Sequence, residues 1–481
     1  MKPKDLLLER WEAVLAQKLD APAIFNTGGE SVRTFRQVDD RAHDFESKID
    51  NLAAGNVVAV QIGNHEDWPS ILIACFQREV VVLPLEQSIT DQQRDAALRV
   101  CRAAGVVAAG VSAGSSTQFL PMRSPSRTST SAATTHWGEN PPTLLKLTSG
   151  TTAAPRAIRF RSEQLLADCD QICETMGFSD VDLNFGVIPV SHSYGFSNLL
   201  TPLIARGVPM VLSGDRTPRA VLAGIARTNA TVFPGTPVFY QAFCEMENVP
   251  LLPKLRLCIS AGAPLPIMIS KRFQEKFGLQ IHSFYGASEC GGICYDREAK
   301  NEIEGFVGPP MENVDLEMVD QNTESTQLRV RSAAVGDGYF PEADEEKLGN
   351  GVFVPDDLLA RHGSGFKIVG RVSDVINVAG KKVNPAEIEE QLLRFPGVRQ
   401  AVAFGRPAAA GLRNEEIAAC VVGNVDPSTG LRASLSEAEL LEFCRSALSG
   451  WQVPRRIFIA DSIPTSERGK VSRRELSKRF R

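Results

Sequence analysis

The sequence lacks a marked excess of either charge and any long hydrophobic run. In its 481 residues, 52 lysines and arginines nearly balance 57 aspartates and glutamates, which leaves a net charge of −5. Such a balance gives no reason to expect a nucleic acid or an anionic membrane as a partner. No stretch approaches the roughly 18 apolar residues that cross a bilayer, and charged residues interrupt the N-terminal leucines, unlike the apolar core of a signal peptide.

Cysteines and histidines do not cluster in this sequence. The ten cysteines are scattered, which is typical of reduced thiols in the cytosol and unlike a disulfide framework. Two pairs, Cys169 with Cys173 and Cys290 with Cys294, lie close together, but no further Cys or His stands near enough to complete a metal–thiolate site. We therefore predict a cytoplasmic protein whose thiols do not bind a metal.

Short apolar runs rich in β-branched residues alternate with amphipathic segments over most of the chain. This alternation predicts an α/β architecture with largely parallel sheets and packed helices. Strands are predicted at residues 57–62, 80–83, 186–190, 208–212 and 255–260, and helices at residues 67–77, 162–176 and 266–277. Because the chain is too long for one ordinary core, two or more lobes are expected.

Two segments interrupt this alternation. Residues 112–139 are rich in Ser, Thr, Ala and Gly and have little periodicity, which predicts a surface excursion or a flexible linker. A domain boundary is predicted near residues 370–374. Beyond it, helices at 385–393 and 436–448 and strands at 400–404, 417–422 and 456–460 predict a small α+β unit of about a hundred residues.

One loop carries the residue types that bind phosphate. Residues 144–159 read LLKLTSGTTAAPRAIR, a buried strand that runs into glycine and hydroxyl-bearing residues. Gly150 permits a tight or positive-φ backbone in which successive N–H groups converge on an anion, and Arg156 adds a fixed charge suited to phosphate. On composition alone, an ordinary Ser/Thr loop fits equally well, because the pattern is not the Walker sequence GxxxxGK[ST].

This loop resembles the TSGTTGxPKG motif of the adenylate-forming superfamily, which contains acyl- and aryl-CoA synthetases, peptide-synthetase adenylation domains and beetle luciferases. It departs from the motif at Ala153 and Arg156, where glycine and lysine are usual. Further segments resemble the family's motifs in the same order: residues 260–264 (SAGAP), 283–291 (SFYGASECG), 353–358 (FVPDDL), 371–389 (RVSDVINVAGKKVNPAEIE) and 464–476 (PTSERGKVSRREL). The order makes the resemblance specific, since a lone motif is weak.

The resemblance implies an enzyme that depends on ATP and Mg²⁺. The nucleotide contacts that it implies are Thr148, Ser149, Gly150, Thr151, Thr152, Gly262, Ala263, Pro264, Tyr285, Gly286, Ser288, Asp357 and Arg371. In this assignment Tyr285 stacks on adenine, Ser288 reaches the α-phosphate, and Asp357 and Arg371 bind the ribose. The family usually has TGD before the ribose aspartate, so Asp356 remains an alternative to Asp357. Glu289 and Thr152 are implied to hold Mg²⁺, which usually takes one or two carboxylates plus phosphate oxygens.

The resemblance also implies two domains that move relative to each other. Residues 1–371 would form a large N-terminal domain that binds ATP and the acid, and residues 372–481 a small mobile C-terminal lid. The implied hinge is Ser373, where Asp or Lys is more usual. Lys470 is implied to close on the active site, where its ammonium stabilises charge between the substrate carboxylate and the α-phosphate. The implied catalytic residues are therefore Lys470, His192 and Arg156.

Residues 187–198 limit which acids the enzyme can accept. They read VIPVSHSYGFSN and occupy the position where the family lines its acyl pocket. Amino-acid-activating members have an aspartate there to bind the substrate ammonium, whereas this chain has His192, Ser193 and Tyr194. The implied pocket residues are His192, Phe196, Gly286 and Gly291. Such an apolar slot with small residues suits an aromatic acid or a medium-length fatty acid.

The implied function is an acid–thiol ligase that forms an acyl-adenylate and then transfers the acyl group to coenzyme A. Two alternatives remain open. One is a ligase that acylates the phosphopantetheine arm of a carrier protein, and the other is a catalytically degenerate nucleotide-binding scaffold. The protein is expected to be a monomer or a homodimer, without a nucleic-acid partner or a membrane span.

Overall fold

The computed structural model of the protein describes residues 5–109, 116–121, 135–148, 155–301, 303–321, 323–378, 381–407, 415–424, 434–464 and 471–480. The chain divides into two compact units. The larger unit contains Met1–Glu317, Arg329–Pro355 and Gly363–Phe366, and the smaller unit contains Met318–Leu328, Asp356–His362 and Lys367–Arg481. The smaller unit thus includes two short segments that precede residue 367, while the boundary at residues 371/372 and the hinge at Ser373 stay predictions.

The helices follow one another along both units. They are α1 (Leu6–Lys18), α2 (Phe35–Lys48), α3 (Trp68–Gln77), α4 (Asp91–Val100), α5 (Ser162–Met176), α6 (Ser193–Gly195), α7 (Thr201–Arg206), α8 (Pro218–Thr228), α9 (Pro237–Glu245), α10 (Ile267–Phe277), α11 (Pro385–Leu393), α12 (Glu437–Ala447) and α13 (Arg473–Arg479). A π-helical turn, Phe196–Leu200, joins α6 to α7, and a 3-10 turn covers Val372–Asp374.

The strands of residues 22–353 are β1 (Pro22–Phe25), β2 (Ser31–Thr34), β3 (Val57–Gln61), β4 (Val81–Pro84), β5 (Ala103–Ala109), β6 (Thr117–Pro121), β7 (Leu144–Leu147), β8 (Ala157–Phe160), β9 (Asn184–Gly186), β10 (Met210–Leu212), β11 (Val232–Gly235), β12 (Leu257–Ser260), β13 (Ile281–Ala287), β14 (Gly291–Tyr295), β15 (Phe306–Gly308), β16 (Asp315–Met318), β17 (Leu328–Arg331), β18 (Gly338–Phe340), β19 (Leu348–Gly349) and β20 (Val352–Phe353). Those that follow are β21 (Asp357–His362), β22 (Gly365–Arg371), β23 (Ile376–Val378), β24 (Lys381–Val383), β25 (Val398–Pro407), β26 (Glu415–Gly423) and β27 (Arg456–Ile459).

Two large sheets build the described part of the larger unit. One has the strand order β18-β8-β7-β4-β3-β5-β6, and the other has the order β14-β13-β12-β11-β9-β10-β1-β2. In each sheet the central strands run parallel, and antiparallel strands form the edges. The predicted α/β fold with mixed and parallel sheets is therefore confirmed.

The parallel strands at the centre of each sheet are buried. Every residue of β4 and of β12 is buried, and both strands are rich in aliphatic side chains. Parallel sheets are covered by helices on both faces, so their strands form nearly continuous apolar runs. Helix α5, at the bounds predicted from the sequence, is packed within the larger unit and ends at Gly177, whose φ of 67° is the left-handed conformation that favours glycine.

Two predictions about local structure were wrong. The strand predicted at residues 186–190 ends at Gly186, because the chain then turns so tightly that a Cβ on Gly195 would lie 2.1 Å from the carbonyl oxygen of Pro189. Within the predicted linker at residues 112–139, Thr117–Pro121 is edge strand β6, antiparallel to β5. It is held there because Thr117 is buried and its hydroxyl donates to Asp67 at 2.8 Å. Residues 112–115 and 122–134 lie outside the described part of the chain.

The smaller unit contains the sheet β25-β26-β27, in which β26 is antiparallel to β25 and parallel to β27. Helices α11 and α12 supply the side chains Ile388, Leu392, Leu440 and Cys444 to a core with this sheet. Helix α11 has the predicted bounds, and the strands lie within a few residues of the predicted positions. No helix in the described residues combines the length and the apolarity needed to cross a bilayer.

Asp182 joins the end of α5 to the strands β11 and β12. Its side chain is 1% exposed and accepts hydrogen bonds from Arg256 Nη2 at 2.5 Å, Arg256 Nε at 2.8 Å and the Thr231 hydroxyl at 2.7 Å. Arg256 also donates to the carbonyl oxygen of Gly177 at 2.6 Å. Burial raises the pKa of Asp182, but the hydrogen bonds from Arg256, Thr231 and Ser179 outweigh it, so the net pKa is lowered.

We expect Asp182→Asn to lower the free energy of unfolding by about 2–3 kcal/mol near neutral pH, because hydrogen bonds to a charged group are lost. A carboxyl with a lowered folded-state pKa stabilises the fold above its unfolded-state pKa and loses that contribution as the pH falls. The difference between wild type and variant should therefore shrink in urea titrations near pH 4, around the unfolded-state pKa of Asp. A difference that stays constant with pH would contradict this account.

Candidate active site

The candidate active site lies at the carboxyl ends of neighbouring parallel strands in the larger unit. Strands β11, β12 and β13 are parallel and end at Gly235, Ser260 and Ala287. The segment around α6 contacts these ends, because the Tyr194 hydroxyl lies 3.3 Å from the carbonyl oxygen of Gly235 and 3.4 Å from that of Ile259. In open α/β sheets, ligands bind outside the carboxyl ends of the strands.

His192 and Ser193 stand at this edge. His192 precedes α6, is half-buried, and its Nδ1 accepts the backbone N–H of Tyr194 at 3.2 Å. In a neutral ring with Nδ1 as acceptor, the proton is on Nε2. The hydroxyl of Ser193 lies 3.0 Å from that of Ser288, which comes directly after β13. The structure thus brings the predicted residues His192 and Ser288 to one edge of the sheet.

A chain of contacts links Glu289 to Arg156. The Tyr339 hydroxyl, on β18, donates to Glu289 Oε1 at 3.1 Å. The Arg156 guanidinium, just before β8, stacks over the Tyr339 ring at 4.2 Å from its centroid, and its Nη1 lies 3.9 Å from Asp344 Oδ2. Burial and then the Glu289 carboxylate raise the pKa of the Tyr339 hydroxyl, so it remains a protonated donor.

The sequence does not point to Tyr339 as a residue of the candidate site. An aromatic residue in a short strand is most often a core residue, and nothing in its neighbourhood marks it as a partner of Glu289, which is 50 residues away in the sequence. Only the pairing of β18 with β8, which places Tyr339 opposite Ile158, brings it beside Arg156.

The two flanks of the predicted phosphate loop are joined to each other. Thr148, directly after β7, donates its backbone N–H to the carbonyl oxygen of Arg156 at 2.9 Å, and its hydroxyl lies 3.2 Å from the same oxygen. These contacts close the base of a loop between the antiparallel strands β7 and β8. The predicted loop residues Ser149, Gly150, Thr151 and Thr152 lie outside the described part of the chain.

The predicted adenine-side residues surround the end of β12. Gly262, Ala263 and Pro264 are exposed, and Gly262 has a φ of 86°, which favours glycine. Below them, the buried Ser260 hydroxyl has no hydrogen-bond partner among the described residues. Tyr285, on β13, is 7% exposed.

Of the predicted acid-site residues, Phe196 is buried, Gly291 is half-buried and Gly286 is exposed. Phe196 is 1% exposed. A Cβ on Gly286 would lie 2.6 Å from the carbonyl oxygen of Gly291, and a Cβ on Gly291 would lie 1.9 Å from Asp168 Oδ1. Asp168 also accepts the Ser197 hydroxyl at 2.5 Å and the Gly292 backbone N–H at 3.0 Å.

Asp168 is a second residue of this region that lies outside the sequence motifs. It lies on α5 at the helical spacing of the buried residues Leu165 and Ile172, and it is itself 4% exposed. A carboxylate on the apolar face of a helix is rarely buried without partners, and that position was the available signal.

The predicted ribose-binding residues belong to the smaller unit. Arg371 Nε lies 2.6 Å from Asp357 Oδ1, and Asp357 is 7% exposed. Asp356 is exposed, and its carbonyl oxygen accepts the backbone N–H of Val372 at 2.8 Å. The structure therefore pairs Asp357, rather than Asp356, with Arg371 through side chains. Lys470 lies outside the described residues, as does the side chain of Ser373.

The described residues contain no group of three or more His, Cys, Asp or Glu side chains that could hold a metal ion by themselves. Their ten cysteines are all buried and form no disulfide. Glu289, half-buried at the strand edge, is a single carboxylate. One carboxylate fits Mg²⁺ in a nucleotide site, because that ion keeps waters and takes its other ligands from phosphates.

The two-unit α/β fold agrees with the adenylate-forming type of enzyme that the order of the motifs predicts. Residues 11–340 match the AMP-binding enzyme family, and residues 387–470 match the AMP-binding enzyme C-terminal domain. The chain therefore belongs to the AMP-binding enzyme family. It is an AMP-forming acid–thiol ligase, as the resemblance of its motifs predicted.

Similar proteins carry ligase names. A feruloyl-CoA synthase of an Amycolatopsis species is 28% identical over 350 residues, which cover 70% of this chain and 70% of that protein. A long-chain-fatty-acid–CoA ligase of Escherichia coli O157:H7 is 25% identical over an alignment of 539 positions that covers 98% of this chain and 94% of that protein. The fold is similar to that of ATP-bound MatB from Rhodopseudomonas palustris, with a TM-score of 0.82, 22% identity and 98% of each chain covered.

Proposed function

We propose that the enzyme activates an aromatic or medium-chain carboxylic acid as its acyl-adenylate and transfers the acyl group to coenzyme A. The observation that carries this proposal is the chain of contacts from Arg156 through Tyr339 to Glu289. It supplies a fixed cation, a neutral hydroxyl donor and a carboxylate, and Arg156 also closes the base of the loop for which we propose phosphate binding. These are the groups that position a nucleoside triphosphate and its metal ion.

In the first half-reaction, a carboxylate oxygen of the acid attacks the α-phosphorus of ATP, and pyrophosphate leaves. Such a reaction needs positioning and charge stabilisation more than a protein nucleophile. Arg156 and the loop residues 148–152 hold the phosphates, and Ser288 donates to the α-phosphate. His192, at the same strand edge, orients the acid's carboxylate with its Nε2 proton.

Glu289 and Thr152 would hold Mg²⁺ together with phosphate oxygens. When bound, the ion neutralises charge on the phosphates. Tyr339 donates to Glu289 Oε1 and fixes the carboxylate in one orientation, and Arg156 fixes the tyrosine ring from its other side. Such outer partners of a metal ligand tune its affinity.

In the second half-reaction, a thiol sulfur attacks the acyl carbon, the thioester bond forms and AMP leaves with the electron pair of the broken acyl–phosphate bond. We assign the thiol to coenzyme A because similar proteins are named CoA ligases. Asp357 and Arg371 bind the ribose, and Lys470 acts in the first half-reaction only, so the smaller domain must rotate between the two steps.

The acid class is supported by the residues of the predicted pocket. The predicted pocket residues are apolar or small, because Phe196 has a buried aromatic ring and Gly286 and Gly291 have no side chain, and such residues suit a ring or a short chain. The names of similar proteins include both a feruloyl and a long-chain fatty acyl substrate, so both classes belong in the test.

Acid-dependent exchange of radiolabelled pyrophosphate into ATP tests the proposal, with a panel of benzoic, cinnamic and straight-chain acids. Exchange that requires one of these acids, followed by acyl-CoA formation when coenzyme A is added, is the expected result. If exchange occurs without acyl-CoA formation, but a phosphopantetheinylated carrier protein is acylated, then the acyl acceptor is the carrier protein and not coenzyme A. ATP binding without any exchange would favour the degenerate scaffold over the ligase.

The Tyr339–Glu289 contact predicts a metal-dependent phenotype. In Tyr339→Phe the carboxylate loses its orienting donor, so we expect the Mg²⁺ concentration for half-maximal exchange to rise about tenfold. Tyr240→Phe is the matched control, because it also removes a buried hydroxyl, whose acceptors are the backbone oxygens of Phe233 and Ile259. The control should lose stability and keep the wild-type Mg²⁺ dependence. An unchanged Mg²⁺ dependence in Tyr339→Phe would rule out the positioning role.

A further inference from the structure

A lysine lies inside the larger unit, behind the predicted acid site. Lys146 is the third residue of β7 and is only 6% exposed. Its Nζ lies 4.7 Å from the centroid of the Phe160 ring and 5.2 Å from that of the Phe196 ring. Phe196 is one of the predicted pocket residues, so the amine of Lys146 packs against a ring that the sequence assigns to the acid site.

Among the described residues, Lys146 Nζ has neither a hydrogen-bond acceptor nor a carboxylate within ion-pair distance. Burying an ammonium without such a partner is costly, and two aromatic faces repay only part of that cost. Burial lowers the pKa of Lys146, and the nearby Asp168, Cys290 and Glu289 oppose that shift from a distance. The side chain is therefore a buried amine for which the described residues supply no hydrogen-bond acceptor and no ion-pair partner.

Asp168, the first of the charges that oppose this lowering of the pKa, already accepts hydrogen bonds from neutral donors. Its Oδ2 accepts the Ser197 hydroxyl at 2.5 Å, and its Oδ1 accepts the Gly292 backbone N–H at 3.0 Å. The same carboxylate packs against Gly291, where a Cβ would overlap it. Asp168 thus shapes the acid site through Ser197, Gly291 and Gly292, and leaves the ammonium of Lys146 available for a ligand.

We propose that Lys146 is a specificity-determining residue that binds a second carboxylate at the far end of the acid substrate. This inference rests on the proposed function and narrows its substrate class to aromatic or medium-chain acids with a distal carboxylate. The aromatic rings of Phe160 and Phe196 hold the ammonium in place. The incoming carboxylate supplies the hydrogen-bond acceptor and the charge that the described residues do not.

The test compares acids in matched pairs that differ only at the distal group. Adipate is compared with its monomethyl ester, and terephthalate with its monomethyl ester, by kcat/KM for pyrophosphate exchange. The variants are Lys146→Met, which keeps the length and removes the charge, and Lys48→Met as its control. Lys48 is exposed, and its Nζ also lies over a ring, 5.9 Å from the Phe45 centroid.

We expect the wild type and Lys48→Met to prefer the diacid of a pair by about 10- to 100-fold, as for a hydrogen bond to a charged group. Lys146→Met should lose that preference and keep its activity with the monoester. Wild type that prefers the esters, or Lys146→Met that keeps the preference for diacids, would overturn the inference and leave the ligase function intact. Exchange with no acid of either kind would instead refute the proposed function.

Folding of the variant is checked by its thermal unfolding transition. If Lys146→Met has none, Lys146→Gln replaces it, because the amide retains a donor without the charge. The preference of the wild type is independent of any variant, so a wild type without a preference for diacids overturns the inference by itself.

Discussion

Replacement of Lys470 by alanine is expected to lower the rate of acyl-adenylate formation by about 10²- to 10³-fold, the usual effect of removing one group that stabilises transition-state charge. Thiolysis of a supplied acyl-adenylate by coenzyme A should be largely retained. The physical reason is that an ammonium between the carboxylate and the α-phosphate stabilises charge in the first half-reaction alone. Lys470 lies in the terminal motif, whose resemblance to the family carries this assignment.

The two half-reactions are measured separately, the first by pyrophosphate exchange and the second by acyl-CoA formation from synthetic acyl-adenylate. Lys478→Ala serves as the control, because Lys478 is an exposed lysine of α13 in the same basic C-terminal segment. It should leave both rates unchanged. If Lys470→Ala reduces both half-reactions equally, the two-step account with a rotating domain is wrong.

The second large effect is expected at Gly291. Its φ is 70°, and a Cβ would lie 1.9 Å from Asp168 Oδ1 and 2.3 Å from Asp168 Cγ. Asp168 cannot simply move away, because the Ser197 hydroxyl and the Gly292 backbone N–H hold its two oxygens. Gly291→Ala therefore combines backbone strain with steric overlap at a buried, hydrogen-bonded carboxylate.

Gly278→Ala is a matched control that measures the cost of the backbone strain alone. Gly278 has a φ of 69°, and a Cβ there meets nothing within 4 Å. We expect the control to lose about 1–2 kcal/mol, the cost of a left-handed conformation for an L-residue. Gly291→Ala should lose a further 1–3 kcal/mol, roughly the cost of overpacking.

Urea unfolding measures the loss in the free energy of unfolding for each variant. Pyrophosphate exchange measures the KM of each variant for the acid. Gly278→Ala should keep wild-type KM for the acid, whereas Gly291→Ala should raise it, because Asp168 and Gly292 lie beside Gly291, a residue of the proposed acid site. Equal losses of stability in the two variants would mean that Asp168 yields without cost. If the KM for the acid is unchanged in Gly291→Ala, Gly291 does not contribute to the acid site.

The elements whose signals are local were determined by the sequence alone. Helix α5 has the predicted bounds, because its apolar spacing and the glycine after its last residue are both visible in the sequence. The buried strands β3, β4 and β12 lie within two residues of their predicted positions. The order of the motifs identified the family and the class of reaction, which the family matches confirmed.

Predictions from the sequence are wrong where contacts with distant segments decide the local structure. Residues 187–190 are apolar and β-branched like a strand, yet the chain must leave the sheet at Gly186 to reach the ends of β11 and β12. The sequence predicts a linker where strand β6 lies, because this short edge strand depends on its pairing with β5 and on the buried Thr117–Asp67 contact, which the sequence does not reveal.

At the candidate site, too, the sequence and the tertiary structure determined different features. The sequence by itself determined the residue types, because Arg156, Ser288 and Glu289 stand in motifs that indicate their chemistry. Only the tertiary structure placed Tyr339 between Arg156 and Glu289, and only it showed Lys146 buried against Phe196 without an acceptor among the described residues. Motifs are local in the chain, whereas burial and charge pairing depend on which distant strands and helices pack together, and that packing alone decided them.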